Sequence, residues 1–143
     1  MQRGSGVALT FTCLLVLSAC GEDDPPDYLT TAAVADALHE ADINCDLELP
    51  PPASSLPSLV ESAGVCRGVD FVIHIFLYRD APARQQSQAE SMAYWCDQGV
   101  TEGSYVSAGR WLVTMDPSPT DGSLFMSDIA DATGGSRNPV DCD

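Results

Sequence analysis

FVIHIFLY, at 71–78, is apolar on both of the faces that an extended chain presents. Side chains alternate along a strand, so a strand with one wet face shows a polar set, whereas a strand covered on both sides or in the middle of a sheet shows none. The stretch therefore predicts a central strand. Its histidine, His74, shares one face with Val72, Phe76 and Tyr78.

Working back from it, Gly68 provides a turn, and Val60 to Cys66 reads as a strand in preference to one helical turn boxed by Ser58 and Glu61. INCDLEL at 43–49 alternates Ile43, Cys45, Leu47 and Leu49 with Asn44, Asp46 and Glu48, the period of a half-buried strand with Cys45 pointing inward. Pro50, Pro51 and Pro52 end it in a surface loop, since proline has no ladder donor. Thr30 caps a first helix, Leu29 and Val34 fit a hydrophobic staple, and Val34, Ala37, Leu38 and Ala41 form an apolar stripe that leaves His39 exposed.

Working forward, Asp80 caps a second helix with Pro82 in its first turn. Ala89, Met92, Ala93 and Cys96 share one face of it, and Gly99 ends it. YVSAGRWLVTM at 105–115 predicts one strand with a bulge or a close backbone approach at Gly109. Asp121 or Ser123 caps a last helix through Ile129 and Ala132, which Gly134 and Gly135 stop. This order predicts an α+β domain at 29–143, with a mainly antiparallel sheet of three to four strands and about three helices packed on one face.

The chain has 143 residues, room for one domain, and carries 21 acids against 6 basic residues, all arginine. Such a surface repels phosphate backbones and has no basic patch to displace counterions, which excludes nucleic acid as a partner.

The first twenty residues predict export. Arg3 precedes an apolar run at 7–17 that suits a signal peptide and is too short to span roughly 30 Å of hydrocarbon. The run closes on LSAC, Leu17, Ser18, Ala19 and Cys20, which resembles the bacterial lipobox. The resemblance implies that 1–19 is removed and that the Cys20 thiol carries a diacylglycerol, whose two acyl chains (palmitate or similar) hold stably in a bilayer where one would not. The protein is then expected on the extracytoplasmic face of the cell membrane, with the lipid bilayer as its partner through Cys20. GEDDPPDY, at 21–28, reads with Cys20 as a flexible spacer at 20–28, kept hydrated by its acids and prolines.

Cys45, Cys66, Cys96 and Cys142 remain, an even count that in an exported domain predicts two disulfides. Three pairings are possible. Neighbouring strands bring Cys45 to Cys66, and a pinned tail brings Cys142 to the helix end at Cys96, so these pairs are expected. No CxxC occurs, and His39 and His74 stand at no zinc-like interval from a cysteine.

ADINC, VCRGVDFVIHIF, SMAYWC, GRWLV and IADATGG together resemble the pattern of small actinobacterial membrane lipoproteins of unassigned function, over about 30–135. Here Gly109 and Trp111 have one residue between them, which departs from that group's G-x-x-W spacing. The resemblance implies fold and location, and brings no catalytic residues.

Nothing in the sequence calls for a cofactor or metal. Counting back from Gly122 as the sixth place of a calcium loop puts Pro117 and Pro119 where carboxylates are required. No G-x-S-x-G elbow signals a nucleophile. Trp95, Trp111, Tyr94 and Tyr105 are candidate binding anchors, and Arg110 is a candidate anion contact or a partner for one of the many acids. The leading expectation is a non-enzymatic, membrane-anchored binding or accessory module with a protein or small-molecule partner. The alternative is an exported carrier or enzyme with a pocket near His74.

Overall fold

A computed structural model describes residues 26–49, 58–99, 103–116 and 122–142. The lipobox at 17–20, the prolines at 50–52 and the first part of the rejected calcium loop, 117–121, lie outside the described residues. Among the described residues, three helices and six strands follow in the order α1 (Thr31–Glu40), β1 (Asp46–Glu48), β2 (Val60–Arg67), β3 (Val72–Tyr78), α2 (Ala81–Asp97), β4 (Ser104–Ala108), β5 (Trp111–Met115), α3 (Gly122–Thr133) and β6 (Ser136–Pro139). The strands form one sheet in the order β1-β2-β3-β5-β4-β6, and each neighbouring pair is antiparallel. The domain is α+β, with more strands than the sequence predicts.

Two strands account for the difference. Gly109 and Arg110 form a tight turn between β4 and β5, with Ala108 opposite Trp111. Gly109 has φ +44° and Arg110 has no positive φ, which matches a turn that needs glycine at its first central position. The expected bulge is therefore a hairpin. The tail forms β6 on the outer side of β4, with Ser104 opposite Pro139. Proline is tolerated there because an edge strand has a free side.

β3 is interior and covered on both faces. Ile73, Ile75 and Leu77 pack with Val106, Trp111 and Val113 against Val34, Ala35 and Leu38 of α1 and Met126 and Ile129 of α3. Trp111, Ile73, Ile75 and Val113 are all fully buried. Each such side chain contributes roughly 1.5–3 kcal/mol by leaving water. Phe76 and Tyr78 point the other way, with Val60, Ala63, Tyr105 and Leu112, toward Ala83, Met92 and Trp95 of α2. Helices thus cover both faces instead of one. A strand apolar on both sides requires two covers, and one-sided helix packing would leave Phe76 and Leu112 in water.

The helix ends follow their caps. Thr30 Oγ1 accepts from the Ala33 N–H at 3.1 Å, and Asp80 Oδ1 from Ala83 at 2.8 Å. Leu29 is 71% exposed, so no staple forms with Val34. Within α1, Thr31, Val34, Ala35 and Leu38 are the buried residues, while Ala41 is exposed.

The spacer expected at 20–28 does not stay free at its end. Trp111 Nε1 donates to the Pro26 carbonyl at 3.0 Å, and the Tyr28 ring stands edge-on to Trp111 at 5.5 Å. The Tyr28 hydroxyl also reaches the Thr133 carbonyl at 3.4 Å. A buried indole N–H needs an acceptor, and the chain at Pro26 supplies it.

Candidate functional site

The helix over the second face is held at its ends and hardly packed between them. At its start, Arg84 Nε donates to the Gly109 carbonyl at 2.8 Å, and Arg84 Nη1 to Ser107 Oγ at 3.0 Å and Gln88 Oε1 at 2.8 Å. Desolvation lowers the Arg84 pKa from its usual value. At its end, Cys96 is bonded to Cys142, which ties α2 to the segment after β6. Ala83 is its one buried residue.

Its middle turns Ser87, Gln88 and Ser91 toward a sheet face of large rings, and small polar side chains cannot fill that gap. The result is a cavity of about 370 Å³. Its floor is His74, Phe76 and Tyr78 of β3 with Val60, Leu112, Thr114 and Tyr105, and Trp95 joins the serines and Gln88 on the helix side. Register sets the floor: His74 stands opposite Thr114 and Phe76 opposite Leu112, side by side on neighbouring strands.

Four of the polar side chains around the cavity are already engaged with one another. Ser87 Oγ donates to the Tyr78 hydroxyl at 3.4 Å, and Gln88 Nε2 to the Tyr105 hydroxyl. His74 Nε2 lies 3.0 Å from Asp116 Oδ1, an exposed carboxylate outside the lining. Ser87 therefore bonds to Tyr78 and is not aligned on His74 as an activated nucleophile would be. Among the described residues, the side chains of Ser91, Thr114 and Trp95 have no protein hydrogen-bond partner.

A wider and more open cleft of about 770 Å³ lies between the end of α1, the β2–β3 turn and α3, with Asp42, Asp70, Asp128 and Asp131 around Phe71 and Phe125. The tilted pair Phe71–Phe125, 4.7 Å between centroids, closes its base.

The expected site residues separate accordingly. His74, Trp95 and Tyr105 come together at the cavity. Trp111 is fully buried on the opposite face, and Tyr94 is 64% exposed. Arg110 pairs with Glu61 at 2.5 Å, while its Nε is buried without a partner. Ala89 and Ala93, expected on the packed face of α2, are exposed. The inward face instead carries Ser87, Gln88, Ser91 and Trp95, where Ser91 stands four residues after Ser87, three after Gln88 and four before Trp95, a helical spacing. That spacing was visible in the sequence, but a polar stripe reads as solvated until a sheet face lies under it.

The structure also brings together groups that spacing did not. A ring nitrogen of His39 and the sulfurs of Cys45 and Cys66 lie within 4.8 Å of one another. The sulfurs are bonded to each other, with the Cα atoms 5.2 Å apart, and so are not thiolate ligands. His39 is instead 2.7 Å from the Cys45 carbonyl oxygen, where it fixes the chain leaving α1. Among the described residues no helix is long and apolar enough to cross a membrane. No family model, curated protein or solved structure matches the chain.

Proposed function

We propose that the protein is an exported lipoprotein, anchored to the extracytoplasmic face of the cell membrane through Cys20, and that its domain is a binding module using the cavity beneath α2. LSAC at 17–20, closing an apolar run, carries the anchoring half of this reading. Two disulfides in so small a domain support it, because thiols stay reduced in the cytosol. The binding half rests on the cavity, whose aromatic floor and few free polar groups suit a small ligand.

Fractionation and mass spectrometry test the anchor. The full chain is expected in the membrane fraction with a diacylglyceryl group on Cys20, and Cys20→Ala in the soluble fraction. A Cys20→Ala chain that stays with membranes, or a wild-type chain without lipid, overturns the anchoring half.

A further inference from the structure

We infer that the cavity beneath α2 is a site for a small organic cation of the quaternary or alkylated ammonium class. This deepens the binding reading above and rests on it. Four of the chain's ten aromatic residues, Phe76, Tyr78, Trp95 and Tyr105, line this one space. None of the four is in ring-to-ring contact with another of them, and the one ring contact among the lining residues is Phe76 stacked on His74 at 6.4 Å, so the faces of Tyr78, Trp95 and Tyr105 are not closed by another ring. An aromatic face is negative, and a desolvated cation over it gains about 0.5–2 kcal/mol per ring.

The other features select a cation over alternatives. No arginine lines the cavity, the chain has no lysine, and the Arg84 guanidinium, which bonds Gln88 of the lining, is held by Gly109, Ser107 and Gln88. No carboxylate lines it either, so nothing there replaces the water of a metal ion. A polyol would need many free hydrogen-bonding groups, yet Ser87, Gln88, Tyr78 and Tyr105 already bond among themselves, which leaves only Ser91, Thr114 and the Trp95 indole N–H in the lining. A cation whose charge is covered by methyl groups needs none, because its surface is apolar and its charge is met by the rings. The net charge of −15 draws such a ligand toward the protein, and Asp116 beside His74 adds a carboxylate near the floor.

The test compares choline with its neutral carbon isostere, in which a tert-butyl group replaces the trimethylammonium, on the full lipidated protein in detergent by titration calorimetry. Choline is expected to bind saturably and more tightly than the isostere by about tenfold or more. Trp95→Leu, which removes the ring, and Ser91→Phe, which fills the space from the helix side, are each expected to weaken choline binding by about tenfold or more. Both variants are first checked for an unchanged thermal transition, and one that passes suffices. Equal affinity for the isostere would overturn the cation inference while leaving the cavity a binding site. Absence of saturable binding by either compound, or choline affinity unchanged in a folded variant, would overturn it by removing the cavity itself. Neither outcome depends on the Cys20 anchor, which fractionation tests separately.

Discussion

At the residue scale, α1 and α3 end by the same hydrogen-bond motif with different residues at its critical place. After α3, Gly134 has φ +66° and the Gly135 N–H donates to the Ala130 carbonyl at 3.1 Å. After α1, Asp42 has φ +62°, its N–H reaches the His39 carbonyl at 3.0 Å, and the Ile43 N–H reaches Leu38 at 2.9 Å. Ile43 and Leu38 are both buried, which supplies the apolar contact that accompanies this ending. Asp42 is the less favourable occupant on two counts: a side chain in the left-handed region is strained, and a carboxylate at a helix C-terminus faces the negative end of the dipole. Asp42→Gly is therefore expected to stabilise the protein by about 1 kcal/mol, read as a higher midpoint in urea with an unchanged slope. Gly135 shows the reverse constraint. A Cβ there would lie 2.4 Å from Trp111 Cη2 and 2.8 Å from Val106 Cγ1, both on fully buried residues. Gly135→Ala is expected to destabilise by about 1–3 kcal/mol in the same measurement, because neither neighbour has room to retreat.

At the element scale, α2 is the part whose stability is separable from the rest. With Ala83 alone buried, it depends on its two end attachments. Replacing Cys96 and Cys142 together by serine is expected to cost about 2–4 kcal/mol overall. Amide exchange should then rise first in α2 and β6, while β2, β3 and β5 keep their protection; uniform loss across the sheet would contradict this hierarchy. The other end is sensitive to acid. The Ala83 N–H and then the Arg79 guanidinium hold the Asp80 pKa below the ordinary carboxylate value. A carboxyl lowered on folding contributes stability above its unfolded pKa, and that contribution is lost as pH falls through the folded one. Asp80→Asn keeps an acceptor but does not titrate. Its deficit in melting temperature against wild type is therefore expected at neutral pH and should shrink as the pH falls below about 4.

The same elements show what the sequence could and could not carry. FVIHIFLY reads as an interior strand because periodicity reports how many faces need cover, and Thr30 and Asp80 read as caps because their chemistry is local. β6 is not legible, since SRNP has no alternation and is held by pairing with β4 and by the linkage through Cys142. The β4–β5 hairpin was legible in Gly109 but is hidden by continuous apolar residues on both sides. Of the cavity, His74 and the aromatics stand out in the sequence. Ser87, Gln88 and Ser91 do not, because only the sheet beneath them distinguishes a lined cavity from a wet helix face.

At the scale of the whole molecule, charge and tether act together. Pro26 is fastened to Trp111, so under the proposed anchoring six residues, 20–25, separate the anchor from that contact, a contour of at most roughly 20 Å. Once Arg3 leaves with the proposed signal, five arginines face 21 acids. Among the described residues, arginine pairs with carboxylate at Arg67–Glu48, Arg79–Asp80 and Arg110–Glu61, all with an exposed acid. Exposed pairs contribute about 0–1 kcal/mol each, and most of the described acids, Asp141 set aside, are in no such pair with arginine. Repulsion among them, summed over a small domain, should therefore outweigh the attraction that salt would also weaken. Raising sodium chloride from about 0.01 M to about 0.5 M shortens the screening length from about 30 Å to a few ångströms. The melting temperature of the chain is expected to rise over that range. Sodium chloride is the right salt, because sulfate would strengthen apolar burial and raise the temperature for another reason. A fall with salt would mean that the three pairs outweigh the field of the unpaired acids, and that the acidic surface does not limit the stability of this domain.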